Sequence, residues 1–547
     1  MAIVIVRRHA DPMLLPYAPV SRGSRWALVC IVVAGVAVRA VFFSGYHGFD
    51  DATYIQRALD LAAHGWSLPG DHVSARSGLV VPTAVLVRLL GVGPLTIHAV
   101  PFVASVLSLL LAFEMGRRFF DDRVGLLAAL LLAVFPLEVI YASHLYPTTG
   151  MTFATGLALL AFLEGDRRGE ARLSFAGGLV LGLSTMLHEL GAVCLVFYPL
   201  YVMLVRAPRR EHLAALAGFL VGAGAEPAAY AWLAGDPLYR VRIAGAAGTV
   251  SGTAVDVADE GWNAAWMLHP WLRLCTEQEL GLFPALALPV VGWRLVHPRS
   301  AEQHALVVWV VAVFLWISYG TTSPFVYAPL DRLPRYLAPL VVPVVVLLAS
   351  ELCAWRRPVA RGLVVVALLA SSLLAVTLDD GRAAQAPARA LAAWSAHERD
   401  CPRLAVDASL RLPLTIALGP RRVEGMGIVD ARLPESPLHD AAALGPHCVA
   451  VVRRQGTARL AERQCVRRVA AFESPRTLYR RLLASPAFRR LLSLARSEYR
   501  MQDLAARVDG WAIDVYRIDP GTTDDCPERA PSGATSDRRE PAARLAA

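Results

Sequence analysis

Apolar runs long enough to cross a membrane recur from near the N-terminus to about residue 377. They lie at about residues 26–44, 95–115, 124–142, 150–163, 173–187, 190–205, 212–233, 280–296, 304–320, 336–354 and 361–377. A helix needs about 20 apolar residues to span the hydrocarbon core, so the shorter runs fit only if their helices continue beyond it. The pattern predicts a polytopic α-helical membrane protein with about eleven transmembrane helices.

Composition agrees with a bilayer environment and argues against binding of nucleic acid. Hydrophobic residues make up 55% of the 547 residues, and the mean hydropathy is +0.45. The net charge is +9, but the basic residues, all of them arginine, interrupt apolar runs and form no single patch. Neither a Walker nor a Rossmann glycine pattern is present, so no nucleotide site is expected.

Arginines in the short loops set the predicted orientation. Residues 1–25 are basic and are assigned to the cytoplasm, and the following run is expected to be an uncleaved anchor in which Arg39 snorkels to the outer interface. Later loops alternate between arginine-rich segments, such as 206–210, and segments without arginine, such as SHLYPTTG. The positive-inside rule then places the C-terminal region outside the plasma membrane, the inner membrane in a bacterium.

Three segments are expected to lie outside the apolar core, which spans residues 26–377. The first is an extracytoplasmic loop, 45–94, whose sequence FDDATYIQRALDLAAHGW has helical periodicity and suggests helices at the membrane surface. A second loop, at about 234–279, opens with GDPLYR, where Asp236 before a proline is typical of a turn. Residues 378–519 contain the β-like runs RLAVDASL, CVAVVRR and WAIDVYRID and the helical stretches 387–399 and 476–501, which predict a small extracytoplasmic α/β domain. Residues 520–547 have the composition of a disordered tail.

Cysteines in the exported region allow a disulfide. Cys401, Cys448, Cys465 and Cys526 lie after residue 378, where oxidation is permitted. We expect one disulfide, with Cys448 and Cys465 as the first candidate pair. The alternative is that these cysteines are free thiols or apolar core residues. The arginines between 453 and 500 could contact anionic lipid or form a solvated basic face.

Two adjacent carboxylates follow the first span directly. Asp50 and Asp51 are placed at the water interface by the preceding apolar anchor. A carboxylate there can accept a proton from an acceptor hydroxyl or hold a divalent cation. Either aspartate could instead cap the helix that begins near Ala52, and both roles can hold at once.

An acidic pair with a tyrosine three residues on, here Asp50, Asp51 and Tyr54, resembles the signature of GT-C membrane glycosyltransferases. The resemblance is to the family that includes protein O-mannosyltransferases and lipid A aminoarabinose transferases. It extends over GRRFFDDRVGLLAALLLAVFPLEVIYASH, LGLSTMLHELGAVCLV and DRLPRYLAPLVVPVVVLLAS, which occur in the expected order, and covers roughly residues 26–377. The resemblance implies a GT-C-like fold and transfer of a sugar from a lipid-phosphate donor.

The family's site residues map onto particular positions of this chain. Asp50 matches the presumed catalytic base, and Asp51 is its acidic neighbour. Arg335 and Tyr336 match a segment that binds the donor phosphate, and Arg332 is a weaker candidate for the same role. Arg335 could equally be a snorkelling anchor for the next span.

Two segments differ from the family's pattern. His188 and Glu189 stand where relatives often have a basic residue and Glu; they could hold phosphate, metal or acceptor, or cap two adjoining helices. Thr148 and Thr149 stand where many relatives have an acid, which leaves a second acidic group, and any metal it would bind, open. His144 is the nearest substitute, although a lone loop histidine is usually solvated.

The sequence thus predicts an inverting glycosyltransferase that uses a polyprenyl-monophosphate sugar at the extracytoplasmic face. The acceptor would be a hydroxyl of a glycan, a lipid or a protein, and Asp50 would be the base. The main rival is a transporter or flippase of lipid-linked glycans. Transporters place ionisable groups within spans and have related halves, whereas the candidates here lie in outer loops and no internal repeat is found. A scaffold that presents the C-terminal domain would leave the Asp pair unused.

Overall fold

The computed structural model describes most of the apolar region and parts of the C-terminal region. The described residues are 20–46, 50–248, 264–321, 330, 333–378, 381–395, 397, 401, 404–407, 410–424, 426–429, 448–452, 466–473, 485–487, 489–490 and 512–518. The chain divides into two units, Met1–Gln385 and Ala386–Ala547.

The first unit is helical throughout its described part. Its helices are α1 Arg22–Val41, α2 Asp50–His64, α3 Ser77–Leu90, α4 Pro94–Phe119, α5 Asp122–Ala133, α6 Pro136–Tyr141, α7 Thr148–Arg168, α8 Ala171–Leu183, α9 Leu190–Val193, α10 Phe197–Leu204, α11 Arg210–Ala234, α12 Tyr239–Gly248, α13 Ala264–Thr276, α14 Phe283–Val296, α15 Ala301–Tyr319, α16 Val341–Ala354 and α17 Pro358–Leu378; α18 Gly381–Ser395 crosses the unit boundary. A 3-10 segment, Pro334–Leu340, leads directly into α16.

Six helical segments in the described part are long and apolar enough to cross a membrane. They are Arg22–Val41, Pro94–Phe119, Arg210–Ala234, Ala301–Tyr319, Pro334–Ala354 and Pro358–Thr377. Four shorter apolar helices are Ser77–Leu90, Ala171–Met186, Leu190–Leu204 and Phe283–Val296. The predicted run 124–142 is instead two helices, α5 and α6, because Pro136 cannot continue the hydrogen bonding of α5 and begins a new helix. The number of crossings stays a prediction.

Burial separates central helices from peripheral ones. In the 18-residue apolar stretch of Pro334–Ala354, 78% of the residues are buried inside the protein, and in that of Ala301–Tyr319 the share is 72%. The corresponding share for Arg22–Val41 is 11%, so most of that helix remains available to lipid. The segment that carries Arg335 therefore enters the middle of the helical unit.

Glycines bring α8 and α11 into backbone contact. A Cβ at Gly178 would lie 1.8 Å from the carbonyl oxygen of Ala215, and a Cβ at Gly218 would lie 2.1 Å from that of Phe175. Small residues allow such close packing between membrane helices. The contact fixes α11 against the helix that leads to His188, which matters for the site below.

Arg39 does not snorkel to the interface; that expectation was wrong. Its side chain is 1% exposed, its Nε donates to Ser105 Oγ at 2.8 Å, and its Nη1 donates to the carbonyl oxygen of Ala133 at 3.0 Å. Ser105 in turn donates to the buried Glu138 at 2.8 Å. An arginine enclosed by other helices finds its partners inside the protein, so it has no need to reach the headgroups.

The second unit contains a mixed five-stranded sheet in the order β2-β1-β3-β5-β4. The strands are β1 Leu404–Asp407, β2 Gly427–Val429, β3 Cys448–Val452, β4 Val466–Phe472 and β5 Ile513–Ile518, with α19 Arg411–Leu418 and α20 Pro420–Glu424 between β1 and β2. Strand β1 is parallel to β2 and β3, whereas β5 is antiparallel to β3 and β4. The three β-like runs coincide with β1, β3 and β5. Most of the helical stretch 476–501, and all of the tail 520–547, lie outside the described residues.

The disulfide joins Cys401 to Cys448 with a Cα–Cα distance of 5.5 Å, so the expected Cys448–Cys465 pairing was wrong. The sheet explains the pairing. Leu404 of β1 is in register with Cys448 of β3, so the residues just before β1 lie beside the start of β3. Cys465 and Cys526 are outside the described residues.

Candidate functional site

Asp50 and Arg335, 285 residues apart in sequence, form an ion pair. An Nη2 of Arg335 donates to Oδ2 of Asp50 at 2.8 Å. Asp50 begins α2, and Arg335 lies at the start of the segment that leads into α16. The side chains are 35% and 19% exposed, so the pair is partly open to solvent. The structure thus brings the predicted base and the predicted phosphate-binding residue into direct contact.

Aromatic rings surround the Arg335 guanidinium. Its carbon lies 4.9 Å from the ring centre of Tyr146 and 5.6 Å from that of Tyr336, a geometry typical of cation–π contacts. Tyr146 makes edge contacts with Tyr54 at 6.1 Å and Tyr141 at 5.5 Å. Burial, together with the Asp51 carboxylate, raises the pKa of Tyr146, so its phenol is neutral at physiological pH. The rings hold the guanidinium in place without neutralising it.

Asp51 differs from Asp50 in its surroundings. Its side chain is completely buried, whereas Asp50 keeps an exposed face. Successive helical residues point about 100° apart, so the two carboxylates cannot face the same space. Both lie in the first turn of α2, where carboxylates favour the helix N-terminus. Only Asp50 is accessible to a substrate from solvent.

Arg76 is a second cation at this site, and sequence reasoning missed it. It precedes α3, its side chain is 7% exposed, and it donates to the Tyr54 hydroxyl through Nη1. Its Nε has no hydrogen-bond partner among the described residues. Burial lowers the pKa of Arg76, while Glu189 and the Asp50 carboxylate oppose this, and Arg335 lies close enough to repel it. Arg76 contacts Tyr54, whose ring packs against the Tyr146 ring beside Arg335, so the two guanidinium groups belong to one cluster.

His188 is enclosed between Arg76 and Tyr336. It is 4% exposed, its Nε2 lies 3.2 Å from Nη2 of Arg76, and its ring centre is 5.2 Å from that of Tyr336. Its Nδ1 accepts from the backbone amide of Leu190 at 3.2 Å and lies 3.3 Å from Glu189 Oε2. Burial first, and then the Arg76 charge, lowers the pKa of His188 to about 3, so the imidazole is neutral at physiological pH. His188 therefore packs against Arg76 as an uncharged group.

His144 is not solvated, contrary to expectation. It is 2% exposed, and its Nε2 lies 2.7 Å from Ser44 Oγ. Its ring also makes an edge contact with Tyr146 at 6.3 Å. A loop between packed helices is enclosed by them, so a histidine there becomes part of the packing. His144 thus supports the tyrosine that lies beside Arg335.

Thr148 and Thr149, which stand where relatives often have an acid, are buried at the start of α7. Thr149 donates to the carbonyl oxygen of Pro101 at 3.0 Å and ties this loop to α4. No group of three or more potential metal ligands occurs in the part of the chain that is described. The Asp50 carboxylate faces a guanidinium, which competes with a metal for the same oxygen atoms. The described residues do not make a metal centre, and no step below uses one.

A small, mainly apolar cavity lies beside the Arg335 segment. Its lining includes Leu274, Phe314, Ile317, Leu333 and Leu337. Arg273 and Glu277 also line it and pair with each other at 2.6 Å. Arg332, the weaker phosphate candidate, lies outside the described residues.

The fold is similar to that of ArnT from Cupriavidus metallidurans in the apo state, with a TM-score of 0.52 and 15% identity over 82% of this chain and 97% of that one. ArnT from the same organism bound to undecaprenyl phosphate gives a TM-score of 0.50, 15% identity, and coverage of 82% and 96%. The oligosaccharyltransferase AglB from Archaeoglobus fulgidus, in complex with an inhibitory peptide and a dolichol-phosphate, matches with a TM-score of 0.44 and 12% identity over 79% and 70%.

A family model described as dolichyl-phosphate-mannose-protein mannosyltransferase matches residues 83–230. No curated protein sequence gives a significant match. The resemblance to the GT-C glycosyltransferase superfamily is therefore confirmed, by a family match over part of the chain and by the fold over most of it. The apolar helices support a multi-pass membrane protein, and the family model makes part of it similar to membrane mannosyltransferases.

Proposed function

We propose that this protein transfers a sugar from a polyprenyl-monophosphate donor to an acceptor hydroxyl at the extracytoplasmic face of the membrane. The observation that carries the proposal is the contact between Asp50 and Arg335 at 2.8 Å, with Arg76 close by. A partly exposed carboxylate beside two arginines offers a base and an anion site within one cluster. The acceptor is a glycan, a lipid or a protein.

Donor binding rearranges the ion pair in this mechanism. The donor phosphate takes the place of the Asp50 carboxylate on Arg335, because a guanidinium binds phosphate oxygens through two parallel hydrogen bonds. Arg76, which has a free Nε among the described residues and a nearly buried side chain, supplies a second cation to the phosphate. Asp50 is released from its partner only when donor is present.

The chemical step is a single displacement at the anomeric carbon. The acceptor hydroxyl attacks this carbon as its bond to the phosphate oxygen breaks, and the hydroxyl proton passes to Asp50. Arg335 and Arg76 stabilise the charge that develops on the departing polyprenyl phosphate. One displacement inverts the configuration of the sugar. Asp50 is preferred to Asp51 as the base, because Asp51 is completely buried.

The apolar side chains beside Arg335 suit contact with the lipid part of such a donor. Leu333 and Leu337 flank Arg335 in the same segment and line the cavity. A prenyl chain is purely apolar, so it gains from leaving water along such a surface. The cationic group and the apolar side chains together match a molecule with a phosphate head and a hydrocarbon tail.

A transporter of lipid-linked glycans remains the rival. Ionisable residues inside a membrane domain often mark a transport pathway. Here Arg39 and Glu138 are enclosed, with exposures of 1% and 0%, and bond to neighbouring helices through Ser105. Among the described residues, Arg39 and Glu138 line no passage through the helices, so they do not support a transporter.

Mass spectrometry of surface glycans tests the proposed activity. Cells with and without the gene should differ by the mass of one sugar residue on a surface glycan, lipid or protein, and reintroducing the gene should restore that mass. Identical glycans, lipids and proteins in both strains would contradict the proposal.

A further inference from the structure

A chain of ion pairs lies next to Arg76 and connects four structural elements. Arg240 of α12 donates to Glu189 through Nη2 at 2.6 Å and to Glu226 of α11 through Nη1. Glu189 also lies 4.0 Å from Nη2 of Arg76. The side chains of Arg240 and Glu226 are 11% and 7% exposed, whereas that of Glu189 is 47% exposed. The mechanism above makes no use of Arg240, Glu226 or Glu189.

Glu189 stands between two arginines and pairs closely with only one. The contact with Arg240 is at hydrogen-bonding distance, whereas the contact with Arg76 is at the outer limit of an ion pair. Coulomb attraction falls with distance, and the hydrogen bond to Arg240 adds to it. Arg240 therefore neutralises the Glu189 carboxylate more strongly than Arg76 does.

As a result, Arg76 can still donate a hydrogen bond to a further ligand. Its side chain is more than nine-tenths buried, its Nη1 donates to Tyr54, its Nη2 lies 3.2 Å from His188, and its Nε lacks a partner in the described part of the chain. Tyr54 and His188 are uncharged partners, so neither contact neutralises the Arg76 guanidinium. A close pairing with Glu189 would cancel this charge.

Other contacts fix Arg240 in this position. Glu226 accepts from Ser77 at 2.9 Å, and Ser77 directly follows Arg76, so Glu226 holds both Arg240 and the start of α3. The Tyr239 hydroxyl donates to the carbonyl oxygen of Pro69 at 2.8 Å, which ties α12 to the first extracytoplasmic loop. Asp236 accepts from the amide of Leu238 at 2.9 Å and forms the turn before α12. The GDPLYR segment thus places Arg240 beside Glu189.

We propose that Arg240 is a positioning residue that holds and neutralises Glu189, so that the charge of Arg76 stays available to the donor phosphate. The inference rests on the proposed function, because it assumes that Arg76 contacts that phosphate. The four charges of Arg76, Arg240, Glu189 and Glu226 balance. Without Arg240, two carboxylates remain near Arg76, one of them free to pair with it and both repelling an anion.

Binding of undecaprenyl phosphate to the purified full-length protein in detergent tests this inference. Arg240→Gln should weaken binding about tenfold, because the Glu189 carboxylate then pairs with Arg76. Adding Glu189→Gln to that variant should return the affinity to within about threefold of the wild type, because Arg76 is released again. Arg242→Gln is the matched control: Arg242 lies in the same helix, is 66% exposed, and pairs with Asp236.

The alternatives give different results. If Arg240 bound the phosphate itself, the double variant would bind as weakly as Arg240→Gln, and the inference would be wrong. If Arg240 were only structural, Arg240→Gln would lower the unfolding temperature and Glu189→Gln would not rescue binding, which also contradicts it. Unchanged affinity in Arg240→Gln overturns the inference alone, whereas a wild type that does not bind undecaprenyl phosphate overturns the proposed function and the inference with it.

Discussion

At the scale of single residues, the site is a balance between carboxylates and guanidinium groups. Asp50 pairs with Arg335 at 2.8 Å. In the proposed mechanism this pair is the state of the site before the donor binds. An anionic ligand competes with Asp50 for Arg335, so binding of the donor and activation of the base are coupled. Arg335 also stacks on Tyr146, which orients the guanidinium.

Arg335→Lys should weaken binding of undecaprenyl phosphate about tenfold, and Arg335→Ala should weaken it further. Lysine keeps the charge but loses the planar fork and the stacking on Tyr146. Equilibrium binding to the purified variants measures the effect, with thermal unfolding as the control for folding. Normal affinity in Arg335→Ala would assign this residue to membrane anchoring.

His188 should make stability depend on pH. Histidines of the unfolded chain take up a proton below about pH 6.5, whereas the pKa of His188 in the folded protein is lowered to about 3. The unfolded state binds more protons between these values, so stability falls as the pH drops through this window, by up to about 1.4 kcal/mol per pH unit.

Thermal unfolding at pH 7 and pH 5 checks this dependence. The difference in unfolding temperature between the two pH values should shrink in His188→Gln and should persist in a control, His64→Gln, which alters an exposed histidine. Equal differences in both variants would rule out His188 as the source.

Sequence resemblance pointed to Asp50 and Arg335 but could not place Arg76 or Arg240. The first two occur in runs with a recognisable order of residue types. Arg76 is an isolated arginine before an apolar helix, and its importance comes only from the long-range contact with His188. Burial of single polar residues is likewise invisible in the sequence, which is why His144 and Arg39 were expected at the solvent or headgroup boundary.

At the scale of helices, buried polar contacts fix the positions from which the site residues emerge. Arg39, near the end of α1, is connected through Ser105 of α4 to Glu138 of α6. The α7 residue Thr152 donates to the carbonyl oxygen of Ala338 at 3.2 Å, within the segment that carries Arg335. Apolar runs predict that these helices exist, but not where a proline interrupts them or which polar groups join them.

Glu138→Gln should destabilise the protein by roughly 1.5–3 kcal/mol, because it weakens the buried hydrogen bond from Ser105 that connects Arg39 to Glu138. Thermal unfolding in detergent measures the change. A second variant, Glu138→Gln with Arg39→Met, should recover much of the lost stability, since no buried charge remains. If the single substitution had no effect, Arg39 and Glu138 would not be an energetically coupled pair.

At the scale of the whole molecule, the proposal requires the site and the C-terminal unit to lie outside the cytoplasm. The Cys401–Cys448 disulfide suits an oxidising compartment. The arginine distribution in the loops is the basis for the predicted orientation. The sequence also predicts three of the five described strands, β1, β3 and β5, but not β2 or β4. The Cys401–Cys448 pairing depends on the parallel neighbours β1 and β3, which local patterns do not specify.

Reporter fusions test this orientation. A reporter fused after Arg210 should be cytoplasmic, and one fused after Leu378 should be extracytoplasmic, because an odd number of predicted spans precedes the C-terminal region. Fusions that report the same side for both positions would contradict the topology.

The central claim is that Asp50 is the base of a sugar transfer from a polyprenyl phosphate. The most direct measurement is release of free polyprenyl phosphate, detected by mass spectrometry, when the purified protein in detergent is supplied with the lipid-linked sugars and acceptors of its own membranes. Detergent removes the two compartments, so a transporter would give no product. The account predicts release by the wild type, and in Asp50→Asn a rate about a hundredfold to ten-thousandfold lower, with unchanged thermal stability and donor binding at least as tight because Arg335 loses its internal partner. Near-normal release by Asp50→Asn, or none by the wild type, would contradict it.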